Sequence, residues 1–207
     1  MSHSSPLIAV SQRVYSNERG EPHDALDQRW FDFLDYCGLT PILIPNHPAT
    51  VKNVLTNITL AGVLLTGGNS LVKYGGDAPA RDETETILLK YAQENRLPVL
   101  GVCRGMQVIQ DYYGVPLERV RGHVLSEQVV EINRNPEIVN SFHDFGTYEM
   151  ADDLDVWAKA EDGLVKAIRH KNKPVTGIMW HPERISPFSL RDVNIFNTFF
   201  KGDKCTV

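Results

Sequence analysis

The chain has 207 residues, of which 42% are hydrophobic and 23% charged, the mix of an ordinary folded protein, so neither disorder nor a fibrous architecture is expected. Its net charge of −5, with no clustering of Lys and Arg among aromatics, argues against nucleic acid as a partner. The length suits one domain, 1–207, able to bury a core without disulfides or a structural metal, and three cysteines at unrelated spacings, Cys37, Cys103 and Cys205, fit a reducing compartment.

The opening Met-Ser-His-Ser-Ser-Pro lacks the charged and apolar regions of an export signal, and the longest apolar runs are strand-sized. A cytoplasmic protein without membrane attachment is therefore expected. Leu7 to Val10 reads as a first strand, with Gln12 and Arg13 at its end. From Asp24 the positions Leu26, Trp30, Leu34 and Cys37 recur at helical spacing, and Gly38 stands where a helix C-cap belongs. Pro41 to Pro45 predicts a strand, and the polar segment after His47 a short helix ending near Ile58. Gly62 to Thr66 is a buried-type strand that stops at Gly67-Gly68, followed by a long Gly-rich loop to about Ala80 of the sort that carries function. Asp82 to Asn95 predicts a helix with a mainly charged outer face, and Pro98 to Val102 the next strand. A helix from Arg104 to Tyr113 follows at once.

The second half is less regular. Gln128 to Ile132, Trp157 to Ala160, Leu164 to Ile168 and Gly177 to Trp180 read as strands, and Leu190 to Phe200 as a closing helix. Short apolar strands alternating with helices predict an α/β fold, with a mostly parallel central sheet covered by helices on both faces.

Gly101-Val-Cys103-Arg-Gly105, set between a predicted strand and a predicted helix, is the thiol form of the Gly-x-Ser-x-Gly nucleophile elbow. Side chains two positions either side of a nucleophile on so sharp a turn would collide, and both positions are glycine. The helix beginning at Arg104 directs its N-terminal dipole at the sulfur, favouring the thiolate. Cys37 and Cys205 have no such setting and read as inert packing.

A thiolate nucleophile needs a base that also protonates the leaving amine, and a further acceptor to hold that base in one tautomer. His181-Pro-Glu183, after the apolar strand Gly177 to Trp180, supplies both if the two side chains project to the same side of extended chain. The seven histidines show no ligand spacing with Cys or Asp, so no metal is expected, and no cofactor.

Leu65-Thr-Gly-Gly68, Arg81-Asp-Glu-Thr-Glu85, Leu100 to Gln107, Asn140-Ser-Phe-His143 and Gly177 to Glu183 stand in the order of the class I glutamine amidotransferase-like family, which the chain resembles over nearly its whole length. The resemblance is to its γ-glutamyl hydrolase branch, and implies a flavodoxin-like fold. It implies Cys103 as nucleophile, His181 as base and acid, and Glu183 as its orienter. The backbone N–H groups of Gly68 and Arg104 would form the oxyanion hole. Gln107 and the block Asn140, Ser141, Phe142 and His143 would contact the γ-glutamyl part of a small-molecule substrate.

Gly67 to Leu71, Ser141 to Phe145 and Ile178 to Arg184 are similar to the bacterial γ-glutamyl-CDP-amidate hydrolases, which release glutamate and cytidine diphosphoramidate for surface-polysaccharide decoration. On that resemblance Arg13, Lys73, Arg81 and Arg184 are candidates to face a diphosphate, whose oxygens a guanidinium matches well. The alternatives are a γ-glutamyl-γ-aminobutyrate hydrolase, or a glutaminase component that hands ammonia to a synthetase partner. A non-enzymatic thiol sensor on the same sheet would need no His-x-Glu pair. A homo-oligomer stays open.

Overall fold

Alternating apolar runs fold into alternating strands and helices because each strand buries both of its faces only when helices cover them. The computed structural model describes residues 5–202, and Cys205 lies outside them. Its first half contains β1 (Leu7–Ser11), the hairpin of β2 (Arg13–Ser16) and β3 (Pro22–Ala25), α1 (Arg29–Tyr36), β4 (Thr40–Ile44), α2 (Pro48–Asn57) and β5 (Gly62–Leu65). Next come α3 (Pro79–Glu94), β6 (Val99–Val102) and α4 (Arg104–Tyr112). The second half contains β7 (Glu118–Arg119), β8 (Val124–Ile132), β9 (Asn135–Phe142), β10 (Phe145–Gly146), β11 (Leu154–Ala160), β12 (Val165–His170), β13 (Val175–Ile178) and α5 (Leu190–Lys201).

The nine-stranded sheet has the order β4-β1-β5-β6-β13-β12-β11-β8-β9. From β4 to β13 every neighbour is parallel, which is the central sheet expected of an α/β fold. Strands β12, β11, β8 and β9 extend it antiparallel. Side chains alternate across β1. Ala9 joins the core formed with Val51 and Leu55 of α2, Leu88 of α3 and Ile109 of α4, whereas Ile8 and Val10 join the core formed with Phe33 of α1 and Phe196 and Phe200 of α5. Helices thus cover both faces. Among the described residues no helix is long and apolar enough to cross a membrane.

Helix α1 and strand β9 are two of the segments that differ from their sequence expectation. Helix α1 begins at Arg29 rather than near Asp24, because His23, Asp24 and Ala25 pair with β2 as a hairpin. Strand β9, read only as a motif block, pairs along β8 after a turn in which Asn133 and Arg134 have φ of 49° and 70°. That turn takes two left-handed residues without the Asn-Gly signature that usually announces it.

Candidate active site

The switch from β6 to α4 is made by a single residue. Cys103 has φ 53° and ψ −107°, a conformation costing on the order of 1–3 kcal/mol that persists only when its surroundings enforce it. Enforcement comes from both sides: its N–H donates to the Ile178 carbonyl of β13 at 2.8 Å, and its own carbonyl accepts from Gln107 N–H at 3.1 Å. A Cβ at Gly101 would stand 2.5 Å from the Gly105 carbonyl carbon and 2.7 Å from Met106 N, and one at Gly105 would strike the Leu65 main chain. The two glycines are therefore required by the close passage of the helix over the strands.

His181 leaves the end of β13, and Nδ1 lies 2.7 Å from Glu183 Oε1. The pair forms, but strand alternation is not its cause. Pro182 to Arg184 is one turn of 3-10 helix, with His181 extended before it, and this turn carries the carboxylate back under the ring. With Nδ1–H donating to Glu183, Nε2 is left to face Cys103. A Cβ built on Gly67 would lie 3.4 Å from His181 Nε2 and 3.5 Å from Cys103 Cβ, so the Cys103 side chain and the imidazole approach one point over a bare glycine. Burial pushes the Cys103 thiol up, yet the charge and hydrogen bond of His181, helped by the Arg104 N–H, bring it below its ordinary value. Burial works against the imidazolium in turn, and the thiolate and Glu183 still raise His181 to about 9. Each group thus favours the charged form of the other.

Two cavities meet at this pair. One of about 230 Å³ is lined by Cys103, Arg104, Gln107, Phe142 and His143. The other, about 110 Å³, is lined by Arg13, Asp27, Trp30 and Glu183. Gly68, His181 and Arg184 border both. Of the two cavities, only the first is lined by Cys103.

Of the residues expected around a glutamyl group, Gln107, Phe142 and His143 line the first chamber. Asn140 and Ser141 spend their side chains elsewhere. Asn140 clamps the base: its Oδ1 accepts from His181 N–H and its Nδ2 donates to His181 O, both at 2.8 Å. Ser141 Oγ donates to His123 O at 2.7 Å and accepts from Lys166 Nζ at 2.9 Å. Neither of the two lines the first chamber. Sequence reasoning passed over Lys166, which is 1% exposed and donates to His143 Nε2 at 2.7 Å. Burial and that ammonium hold His143 down to about 3, and its Nδ1–H donates to Phe145 O. A lone lysine in a strand gives no sequence signal.

Two of the four cations expected to face a diphosphate border neither chamber. Arg81 is 0% exposed and bound to Glu85, and Lys73 is paired with Asp111 at 2.6 Å. Arg13 and Arg184 remain. Cys37 is buried, its thiol pushed up to about 12 by burial, as fits inert packing. Among the described residues no cluster of metal-ligating side chains occurs.

The sequence matches the family described as glutamine amidotransferase class-I over residues 24–201. It is 32% identical over 200 residues to the γ-glutamyl-CDP-amidate hydrolase of Campylobacter jejuni, covering 94% of this chain and 97% of that one. It is 28% identical to the γ-glutamyl-γ-aminobutyrate hydrolase of Escherichia coli, covering 87% of this chain and 86% of that one. A crystal structure from Thermoplasma acidophilum, provisionally named as one component of a GMP synthase, superposes with a TM-score of 0.70 at 19% identity over 96% of this chain and 94% of that one, showing the same fold. The chain belongs to the class I glutamine amidotransferase family. It is an enzyme of the hydrolase and amidotransferase type.

Proposed function

We propose that the protein is a cysteine hydrolase that cleaves a γ-glutamyl amide through a thioester on Cys103. The observation that carries this is the buried line of thiol, imidazole and carboxylate, with Cys103 and His181 meeting over Gly67 and His181 bonded to Glu183. The Cys103 thiolate attacks the γ-carbonyl carbon, and the oxyanion is held by the N–H groups of Gly68 and Arg104. The C–N bond breaks as the His181 imidazolium gives its proton to the departing nitrogen. Water then loses a proton to His181 and attacks the thioester, releasing glutamate and restoring the thiolate.

The leaving group we favour is a nucleoside diphosphate amidate, as in γ-glutamyl-CDP-amidate, which would yield cytidine diphosphoramidate for polysaccharide modification. Support comes from Arg13 and Arg184 bordering the chamber behind His181, and from the relative in Campylobacter jejuni that bears that name. Two guanidiniums suit the phosphate oxygens. The purified protein is to be offered γ-glutamyl-CDP-amidate, γ-glutamyl-γ-aminobutyrate and glutamine, with glutamate release measured. The highest kcat/KM is expected for the first. A preference for the second or third discards the nucleotide assignment, and release of glutamate from none of them discards the hydrolase reading.

A further inference from the structure

Arg81 and Glu85 lie on the first two turns of α3, both at 0% exposure. A buried guanidinium is tolerated only when its donors are used, and Arg81 uses nearly all of them on one loop. Nη2 donates to the carbonyls of Thr66 and Gly67, each at 2.9 Å, and Nη1 to the carbonyl of Gly68 and, at 3.1 Å, to Asn69 Oδ1. Three successive carbonyls of the β5–α3 loop thus turn toward a single side chain. Across a planar trans peptide the N–H points opposite to the C=O. Drawing the Gly67 carbonyl to Arg81 therefore sends the Gly68 N–H the other way, toward the face where Gly67 meets His181 and Cys103. Gly68, at φ 85°, permits this without the penalty a side chain would bring.

The other oxyanion donor is the main-chain N–H of Arg104, and its guanidinium is gripped by Glu85 Oε2 and Asp82 Oδ1. Glu85 Oε1 meanwhile accepts from Arg81 Nε at 3.0 Å and from Ser11 Oγ at 2.8 Å. One carboxylate ties together the arginine that orients the loop and the arginine that carries the second N–H.

The geometry points to Arg81 as a positioning residue for the oxyanion hole, with Glu85 as the tie between its two halves. This rests on the hydrolase reading above, since Arg81 and Glu85 act on substrate only through the main chain of Gly68 and Arg104. The buried ion cluster accordingly sets kcat and leaves the binding of the ground state alone. It also leaves alone any reaction of the sulfur that develops no oxyanion.

The test is Arg81→Met against the wild type, with folding checked by near-ultraviolet circular dichroism. For the best substrate of the panel, kcat is expected to fall about 100-fold, the scale of losing one oxyanion donor, with KM within about threefold. Alkylation of Cys103 by iodoacetamide is expected to stay within about threefold of wild type, because that displacement passes through no oxyanion. Arg81→Lys, which keeps a cation facing the three carbonyls, is expected to recover part of kcat. A folded Arg81→Met with wild-type kcat overturns the proposal, as does one whose alkylation falls in step with hydrolysis. Where Arg81→Met fails to fold, Asp82→Asn decides instead: its side chain is 25% exposed, Oδ1 grips the Arg104 guanidinium, and Oδ2 accepts from Val72 N–H at 2.9 Å, a bond that an asparagine oxygen can keep. A several-fold loss of kcat at constant KM is expected there, and unchanged kinetics overturn the proposal. Crystal structures of Arg81→Met or Arg81→Lys give a readout independent of turnover. A Gly67–Gly68 peptide rotated from its wild-type orientation is expected in the methionine variant and partly reversed in the lysine variant. Should the wild type release no glutamate, the hydrolase reading falls, while an unrotated peptide in Arg81→Met still overturns the positioning role.

Discussion

The chambers on either side of His181 are built from different material. Around Cys103 the walls are main chain held by buried groups: the elbow stitched to Ile178, the base clamped by Asn140, and the Gly67–Gly68 loop fastened to Arg81. Behind His181 the walls include Arg13 and Ala25 of the β2–β3 hairpin, with Arg13 exposed, beside Asp27 and the buried Trp30. Main chain fixed by a core cannot drift without unfolding it, whereas exposed side chains on a hairpin can be exchanged freely. Under the function proposed above, the first chamber would hold the chemical step and the exposed part of the second would choose among leaving groups. The sharpest break of this contrast is Cys103→Ala, which on our reading lowers glutamate release from every substrate by about 10⁴-fold or more. Glutamate yield and the intact mass of a trapped acyl-enzyme measure it, and a variant that still turns over would place the chemistry elsewhere.

A smaller blow to the same chamber is Asn140→Ala. It leaves the triad atoms in place but removes both bonds to the His181 main chain, and misplacing a base by about 1 Å costs about 100-fold. We expect kcat to fall on that scale with the melting temperature only modestly lowered. Equal losses for all three substrates would sharpen the contrast, and a loss confined to one of them would blur it. The ionisation of the triad gives a companion test. Its Cys103 thiol is held below its ordinary value and His181 is raised to about 9, so on our reading the imidazolium is present at neutral pH. As pH climbs past 9 the imidazolium loses the proton owed to the leaving nitrogen, and kcat/KM should drop about tenfold per unit there. A profile still rising above 9 would mean that the resting thiol is neutral.

The two chambers were also unequally legible. Cys103, its flanking glycines, His181 and Glu183 stand at fixed spacings imposed by one strand-to-helix turn and one strand end, and such spacings survive in a linear text. Asn140 could be read as a motif but not as a clamp, because its partner is 41 residues away and nothing local says that its amide faces main chain. Arg81 and Lys73 illustrate the limit from the other side. As letters both are free cations, and only the fold shows Arg81 buried against Glu85 and Lys73 paired with Asp111, with neither bordering the chambers. The β2–β3 hairpin escaped because its four-residue strands are too short and polar to carry a period.

Milder perturbation of the second chamber should move selectivity rather than rate. Arg13→Ala and Arg184→Ala each remove one guanidinium from its border, and one exposed charge-assisted bond is worth about tenfold in KM. We expect that rise for the diphosphate substrate and little change for glutamine, whose leaving group is neutral. Arg184 also stacks over Phe142 at 5.3 Å and stands 3.3 Å from Glu183, so its variant should lose some kcat as well, and Arg13→Ala is the cleaner probe. An equal loss on glutamine with Arg13→Ala would show that the hairpin belongs to the chemical chamber.

The smallest expected effect concerns Lys166, which stands behind the first chamber with two neutral partners, Ser141 Oγ and His143 Nε2. Burial lowers it from 10.5 to about 8, an effect that Asp162 and the Cys103 thiolate only partly offset. Because the folded value lies below the unfolded one, the unfolded chain binds more protons between pH 8 and 10.5, and stability therefore rises with pH across that window. Below pH 8 the full penalty is present, on the order of 3 kcal/mol. Lys166→Met relieves that penalty but strands two buried acceptors, which costs about 1–3 kcal/mol each, so the two proteins should be of similar stability at pH 7. The difference lies in the slope. On raising the pH from 7 to 10, the wild type should gain melting temperature relative to Lys166→Met, and a gap that stays constant would mean that the lysine is already neutral at pH 7. A charge kept in so dry a place at that cost favours the thiolate opposite it. Where the slope is found, Cys103 in Lys166→Met should also alkylate more slowly at pH 6, where its thiolate needs the cation most.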